Sequence, residues 1–246
     1  MIDIQYNLKD IEERRTSVKK RLFQQSANIK SESFDKISEN DLYLLFKLYD
    51  DIFLSGWFEQ RFKGNIKFKL SRQLTRSAGN TRTKKNISAI RPEEIEFEVK
   101  ISLNHLMNFN KTERTKSVGG IEAFSVLDSL MLIFEHELCH VIEFLVRNKS
   151  SCSKKPFMDL INNIFGHKEH THKLVGAGEA NISEYGLKPG DSVRFKYGSE
   201  TMEGFIQKMN KKATVMCPHK HGNYIDKSGK RYVKFCVHPE SFIKEG

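Results

Sequence analysis

One stretch constrains the fold more than any other. Between Ser125 and Asn148, the residues Val126, Leu127, Leu130, Ile133, Phe134, Leu138, Val141, Ile142 and Leu145 recur at helical spacing. Such a broad apolar face needs cover from several sides, so the rest of the chain must be built around this helix. Ser125 with Asp128 three residues later predicts an N-terminal cap, Arg147 and Lys149 suit the negative end of the helix dipole, and Asn148 predicts the stop. Within the helix runs Phe134-Glu135-His136-Glu137-Leu138-Cys139-His140, the pattern H-E-x-x-H. On a helix, His136 and His140 stand one turn apart on one face and can share a metal ion, with Glu137 beside them as a general base. These are the residue types of a zinc-dependent hydrolase.

The chain of 246 residues is long enough for one medium domain and a small one. Its formal net charge of +10 favours an anionic partner, DNA foremost, through basic surface. Met1 to Leu8 shows no apolar leader core, and no apolar run reaches the ~20 residues needed to span a bilayer. A soluble intracellular protein of cytoplasm or nucleus, without membrane contact, is therefore expected. The four cysteines, Cys139, Cys152, Cys217 and Cys236, form no C-x-x-C pair, which predicts free thiols.

Ile4, Leu8, Ile11, Val18 and Leu22 predict an amphipathic helix within residues 1–35. Ser38 and Asp41 cap a second helix that carries Leu42, Leu45, Phe46, Tyr49, Ile52 and Phe53 until Gly56 ends it. Asn65 to Leu70 alternates as a half-buried strand, Arg72 to Arg76 is expected to continue or pair with the sheet, and Ala78-Gly79-Asn80 reads as a turn. Glu94 to Leu103 alternates most cleanly and predicts a strand that, if it lies at a sheet edge, could receive an extended peptide. Lys111 to Gly120 reads as a mobile loop.

Beyond the motif, Phe157 to Phe165 predicts a helix stopped by Gly166, followed by His167, His170 and His172. From residue 187 to 246 short strands between turns predict a small SH3-like β-barrel whose lysine excess marks a candidate binding module. Cys217, His219, His221, Cys236 and His238 could hold a second zinc, although their spacing matches no strong pattern.

The blocks LFKLYDDIFLSGWF (45–58), FKLSRQLTRSAGNTR (68–82), EFEVKISLNHL (96–106), LMLIFEHELCHVIEFL (130–145) and FMDLINNIFG (157–166), in this order, resemble the SprT-like (Spartan-type) metalloprotease domains. The resemblance implies an α+β, zincin-like metalloprotease domain over residues 36–180, with zinc as cofactor, His136 and His140 as ligands and Glu137 catalytic. It also implies a protein or peptide substrate bound or crosslinked to DNA. The family supplies a third ligand from an H-G-x-x-F pattern, where this chain reads Ser153-Lys154-Lys155-Pro156-Phe157. Cys152, His167, His170, His172 or no residue could fill that place. The last case describes a catalytically impaired module that binds nucleic acid or protein.

Overall fold

The computed structural model describes residues 3–243 of a mixed α+β chain. Met1, Ile2 and residues 244–246, the outermost ends of the expected leader-free start and of the expected barrel, lie outside the described residues. The chain divides into two units, Met1–Phe109 with Arg114–Leu174, and Asn110–Glu113 with Val175–Gly246. No helix among the described residues is long and apolar enough to cross a membrane.

The first unit opens with α1 (Leu8–Gln25), whose Ile11, Val18 and Leu22 are buried while Leu8 is exposed. Next comes α2 (Glu39–Leu54), started by a capping box in which Asp41 accepts from the Ser38 backbone N–H at 2.7 Å. Ser55 and Gly56 take left-handed backbone conformations and turn the chain into the short α3 (Trp57–Arg61). The Asp50 carboxylate accepts from the Phe58 and Glu59 N–H groups at 2.8 and 3.0 Å and so caps that helix.

Three strands follow: β1 (Asn65–Ser71), β2 (Gly79–Thr83) and β3 (Glu96–Ser102). They pair in the order β1-β3-β2, with β1 parallel and β2 antiparallel to β3. This order corrects three sequence expectations. The alternating strand at Glu96 to Ser102 lies in the middle of the sheet, flanked on both sides, so it cannot receive a peptide. Residues 72–76 form the loop between β1 and β2 rather than sheet, and Gly79 opens a strand rather than a turn.

After the short α4 (Leu103–Met107), β4 (Lys116–Val118) and β5 (Ile121–Ala123) form a hairpin where a mobile loop was expected. Its two-residue turn is Gly119-Gly120, with φ of 62° and 75°. Two successive positive φ values are what a tight hairpin turn demands, and glycine meets them without steric cost.

The long helix α5 (Val126–Arg147) starts where the sequence predicts, with Ser125 Oγ accepting from Asp128 N–H at 3.0 Å. It is buried along most of its length because the sheet covers one side and helices the other. Phe134 stacks on Phe68 of β1 at 5.5 Å and meets Tyr49 of α2 at 5.8 Å, while Phe144 packs on Phe97 of β3 at 6.0 Å. Full burial of each such ring contributes roughly 1.5–3 kcal/mol, which makes this seam the main support of the helix. Asn148, at φ 59°, ends α5 and reverses the chain toward α6 (Lys155–Phe165).

The second unit holds α7 (Ala177–Tyr185) and strands β6 (Ser192–Tyr197), β7 (Glu200–Met209), β8 (Ala213–Pro218), β9 (Tyr224–Ile225) and β10 (Arg231–Val237). They form one antiparallel sheet in the order β6-β7-β8-β10-β9 around a small core of Val193, Phe195, Ile206 and Val215. The described residues show no ladder between β6 and β9, so the sheet is open rather than a closed barrel. An isolated bridge from Phe195 to Phe242 extends it at the β6 edge.

Candidate metal centre

The residues of the H-E-x-x-H pattern meet in a cleft of about 330 Å³ between α5, β2 and the segment after α6. His136 Nε2 and His140 Nε2 lie 3.2 Å apart. Two imidazole nitrogens held at about 2.0–2.1 Å by one tetrahedral ion are about 3.3 Å apart, so the pair is spaced as metal ligands require. Burial lowers the pKa of His136 to about 3 and that of His140 to about 4, leaving both rings neutral with lone pairs to offer. The ring of Phe157, at the start of α6, packs against both, with centroids 5.0 and 4.5 Å away.

Cys152 completes the group. Its sulfur and the two histidine nitrogens all lie within 4.8 Å of one another, and this cluster could hold a metal ion. The left-handed turn at Asn148 makes this possible, since it sends residues 149–154 back alongside the last turns of α5. Burial raises the Cys152 thiol above its ordinary pKa, so thiolate would form on binding a cation, with loss of the proton.

The other proposed ligands lie outside that cluster. His167 is fully buried with Nε2 2.8 Å from Glu135 Oε2, in a structural contact. His170 and His172 line the same cleft, because the chain returns after α6 and pairs with the hairpin through Gly119 N–H to Thr171 O and the bridge from Val118 to His172. Neither joins the three-residue cluster. The second zinc considered for the C-terminal unit does not assemble: Cys217 is buried opposite Val233, whereas Cys236 is exposed opposite Thr214.

Glu137 points from α5 toward β2. Its carboxylate accepts from Thr81 Oγ1 at 2.6 Å and is otherwise enclosed. Burial lifts its pKa to about 7 despite that hydrogen bond, placing a proton acceptor and donor of near-neutral strength beside the histidines. Gly79 makes room for it. A Cβ at that position would stand 2.4 Å from Glu137 Oε1, so any side chain there must displace the carboxylate.

Behind His140 lies a second layer. His140 Nδ1 is 2.7 Å from Ser150 Oγ, and Glu143 Oε2 accepts from Ser150 Oγ at 2.7 Å and from Ser151 N–H at 3.0 Å. Sequence reading passed over Thr81, Glu143 and Ser150 and took Gly79 for part of a turn. Only Glu143 carried a signal, as a carboxylate three residues after His140 on a buried helix.

A larger open groove, about 1000 Å³, lies on the C-terminal unit, lined by Leu187, Val193, Phe205 and Phe242 with Arg194 and Glu203. No group of metal-ligating side chains converges there among the described residues, whereas the smaller cleft holds the His136, His140 and Cys152 cluster. No protein-family model, curated protein or solved structure matches the chain.

Proposed function

We propose that the chain is a zinc-dependent metallopeptidase of the SprT-like type with a zincin-like catalytic domain. The convergence of His136, His140 and Cys152 beside a buried Glu137 carries this reading. Two imidazoles and a thiolate suit zinc, and three protein ligands with an open position are the ligand count of catalytic rather than structural zinc sites. A bound zinc ion would supply Lewis acidity toward a scissile carbonyl and the attacking water. Glu137 takes the water's proton and passes it to the leaving amine, a double role that a pKa near 7 suits. Thr81 steadies the carboxylate between the two transfers.

Substrate alignment falls to β2. Its far edge is unpaired among the described residues, and Gly79, Asn80 and Thr81 line the cleft. An extended peptide added there would run past Glu137, with backbone hydrogen bonds supplying affinity. The purified protein is expected to hold about one zinc per chain, lose it on His136→Ala and Cys152→Ala, and cleave an unfolded protein only when loaded. Cleavage that survives complete chelation would sink the proposal.

Proteins on DNA are the substrates this reading favours. Its support is the charge of the C-terminal unit: Lys208, Lys211, Lys212, Lys220, Lys227, Lys230, Arg231 and Lys234 face a single acid, Asp226, within residues 208–234. All eight are exposed and none forms an ion pair among the described residues. Asp226 is itself occupied, accepting from Ser228 Oγ, Tyr232 OH and two backbone N–H groups. A labelled oligonucleotide should bind with an affinity that falls steeply with salt, and Lys220→Glu with Lys230→Glu should weaken it. Salt-independent retention would argue against phosphate contacts.

The second reading is a binding module without turnover. Ser153 favours it, standing where the resemblance calls for histidine. Full zinc loading with no cleavage of any unfolded or DNA-bound protein would select it.

A further inference from the structure

We propose that Glu143 and Ser150 are positioning residues that fix the tautomer of His140 and aim its Nε2 lone pair at the metal point. The inference builds on the metallopeptidase reading, but the tautomer is a property of the protein before any metal binds.

As a carboxylate, Glu143 can only accept, and its Oε2 lies 2.7 Å from Ser150 Oγ. The single hydroxyl proton of Ser150 is therefore spent on Glu143. Ser150 Oγ has only lone pairs left to offer His140 Nδ1 at 2.7 Å, so Nδ1 must carry the ring proton. A neutral imidazole protonated at Nδ1 has its free lone pair at Nε2. That nitrogen is the one 3.2 Å from His136 Nε2, in the cluster with Cys152. With the opposite tautomer, a proton would stand where an ion must bind.

Glu143 does a second thing with the same oxygen. It accepts from Ser151 N–H at 3.0 Å, which pins the returning loop one residue before Cys152. One buried carboxylate thus orients one ligand and tethers the loop that delivers another. Outer partners of this kind are commonly worth a 10- to 100-fold change in metal affinity.

The test uses full-length protein labelled with nitrogen-15 at histidine and stripped of metal, with two-bond proton–nitrogen correlation at neutral pH. Wild type is expected to show His140 protonated at Nδ1. Ser150→Ala should lose that tautomer in favour of Nε2–H and weaken zinc binding about 10- to 100-fold in competition with a chromophoric chelator. Ser150→Thr, which keeps the hydroxyl, should restore both. A wild-type His140 protonated at Nε2, or a Ser150→Ala protein with tautomer and zinc affinity unchanged, overturns the proposal. A tautomer change on Ser150→Ala in a protein that binds no zinc at all supports the positioning role and overturns the metallopeptidase reading.

Discussion

On the proposed metallopeptidase reading, glutamine in place of Glu137 is expected to lower proteolysis about 100- to 10,000-fold, the usual worth of a general acid–base group, while making the metal-free protein more stable at alkaline pH. The two effects have one origin. Burial raises the Glu137 pKa from 4.5 to about 7, so the folded chain holds a proton there that the unfolded chain releases. A raised acid contributes stability that is fully present below pH 4.5 and is lost as pH rises through about 7. The loss approaches roughly 3.5 kcal/mol at most, taking about 1.4 kcal/mol for each pH unit. Glutamine is neutral at every pH and keeps the shape, so its stability should match that of wild type near pH 4.5 and exceed it at pH 8.

His136 and His140 act in the opposite sense. Their depressed values mean stability present above 6.5 and lost as pH falls through about 4 and then about 3. Thermal unfolding of metal-free wild type and Glu137→Gln at pH 5 and pH 8 separates the terms. An unchanged gap between the two pH values would show that Glu137 titrates normally and is not the tuned base the mechanism needs.

Alanine in place of Arg15 is expected to destabilise the protein by about 3–5 kcal/mol, the cost of stranding a buried charge. Glu135 is fully buried next to His136. It accepts from Arg15 Nε and Nη2 at 2.8 and 2.6 Å, from Tyr49 OH at 2.8 Å and from His167 Nε2 at 2.8 Å. Burial alone would push its pKa up, but the Arg15 guanidinium, with a smaller contribution from His167, outweighs that and holds it at about 2. Without Arg15 the buried carboxylate loses the main group that offsets its burial, and holding either the bare charge or an added proton there costs stability. Replacing Arg15 and Glu135 together with methionine should recover much of the loss, because a buried pair is worth little beyond its mutual compensation. Urea unfolding of the two single variants and the double variant tests this, and additive losses would contradict it.

The parts of this site that were readable in the sequence are those set by local chemistry. The Ser125 cap, the apolar period and Asn148 delimit α5 without reference to anything distant. What escaped depends on distant partners. β2 reads Gly79-Asn80-Thr81-Arg82-Thr83, with no apolar alternation, and is a strand because β3 offers it an edge and Glu137 needs a residue without a side chain nearby. The central place of β3 is likewise a matter of pairing order, on which its own alternation is silent. Cys152 stood beside three histidines as a possible third ligand, and the loop that follows Asn148 brings it, rather than any of them, into the cluster with His136 and His140. In the C-terminal unit the strand and turn signals locate the strands, while closure depends on how the two edges meet.

The contacts of Glu135 also bear on how such a protein is made. Its partners Arg15, Tyr49 and His167 lie 120, 86 and 32 residues away along the chain. Contacts at such separations form slowly, because chain entropy must be surrendered before they repay it. During synthesis the motif helix leaves the ribosome ahead of His167, so its buried carboxylate cannot be fully satisfied until the chain has grown past that residue. The N-terminal helix must wait, in place or nearby, for a partner more than a hundred residues behind it.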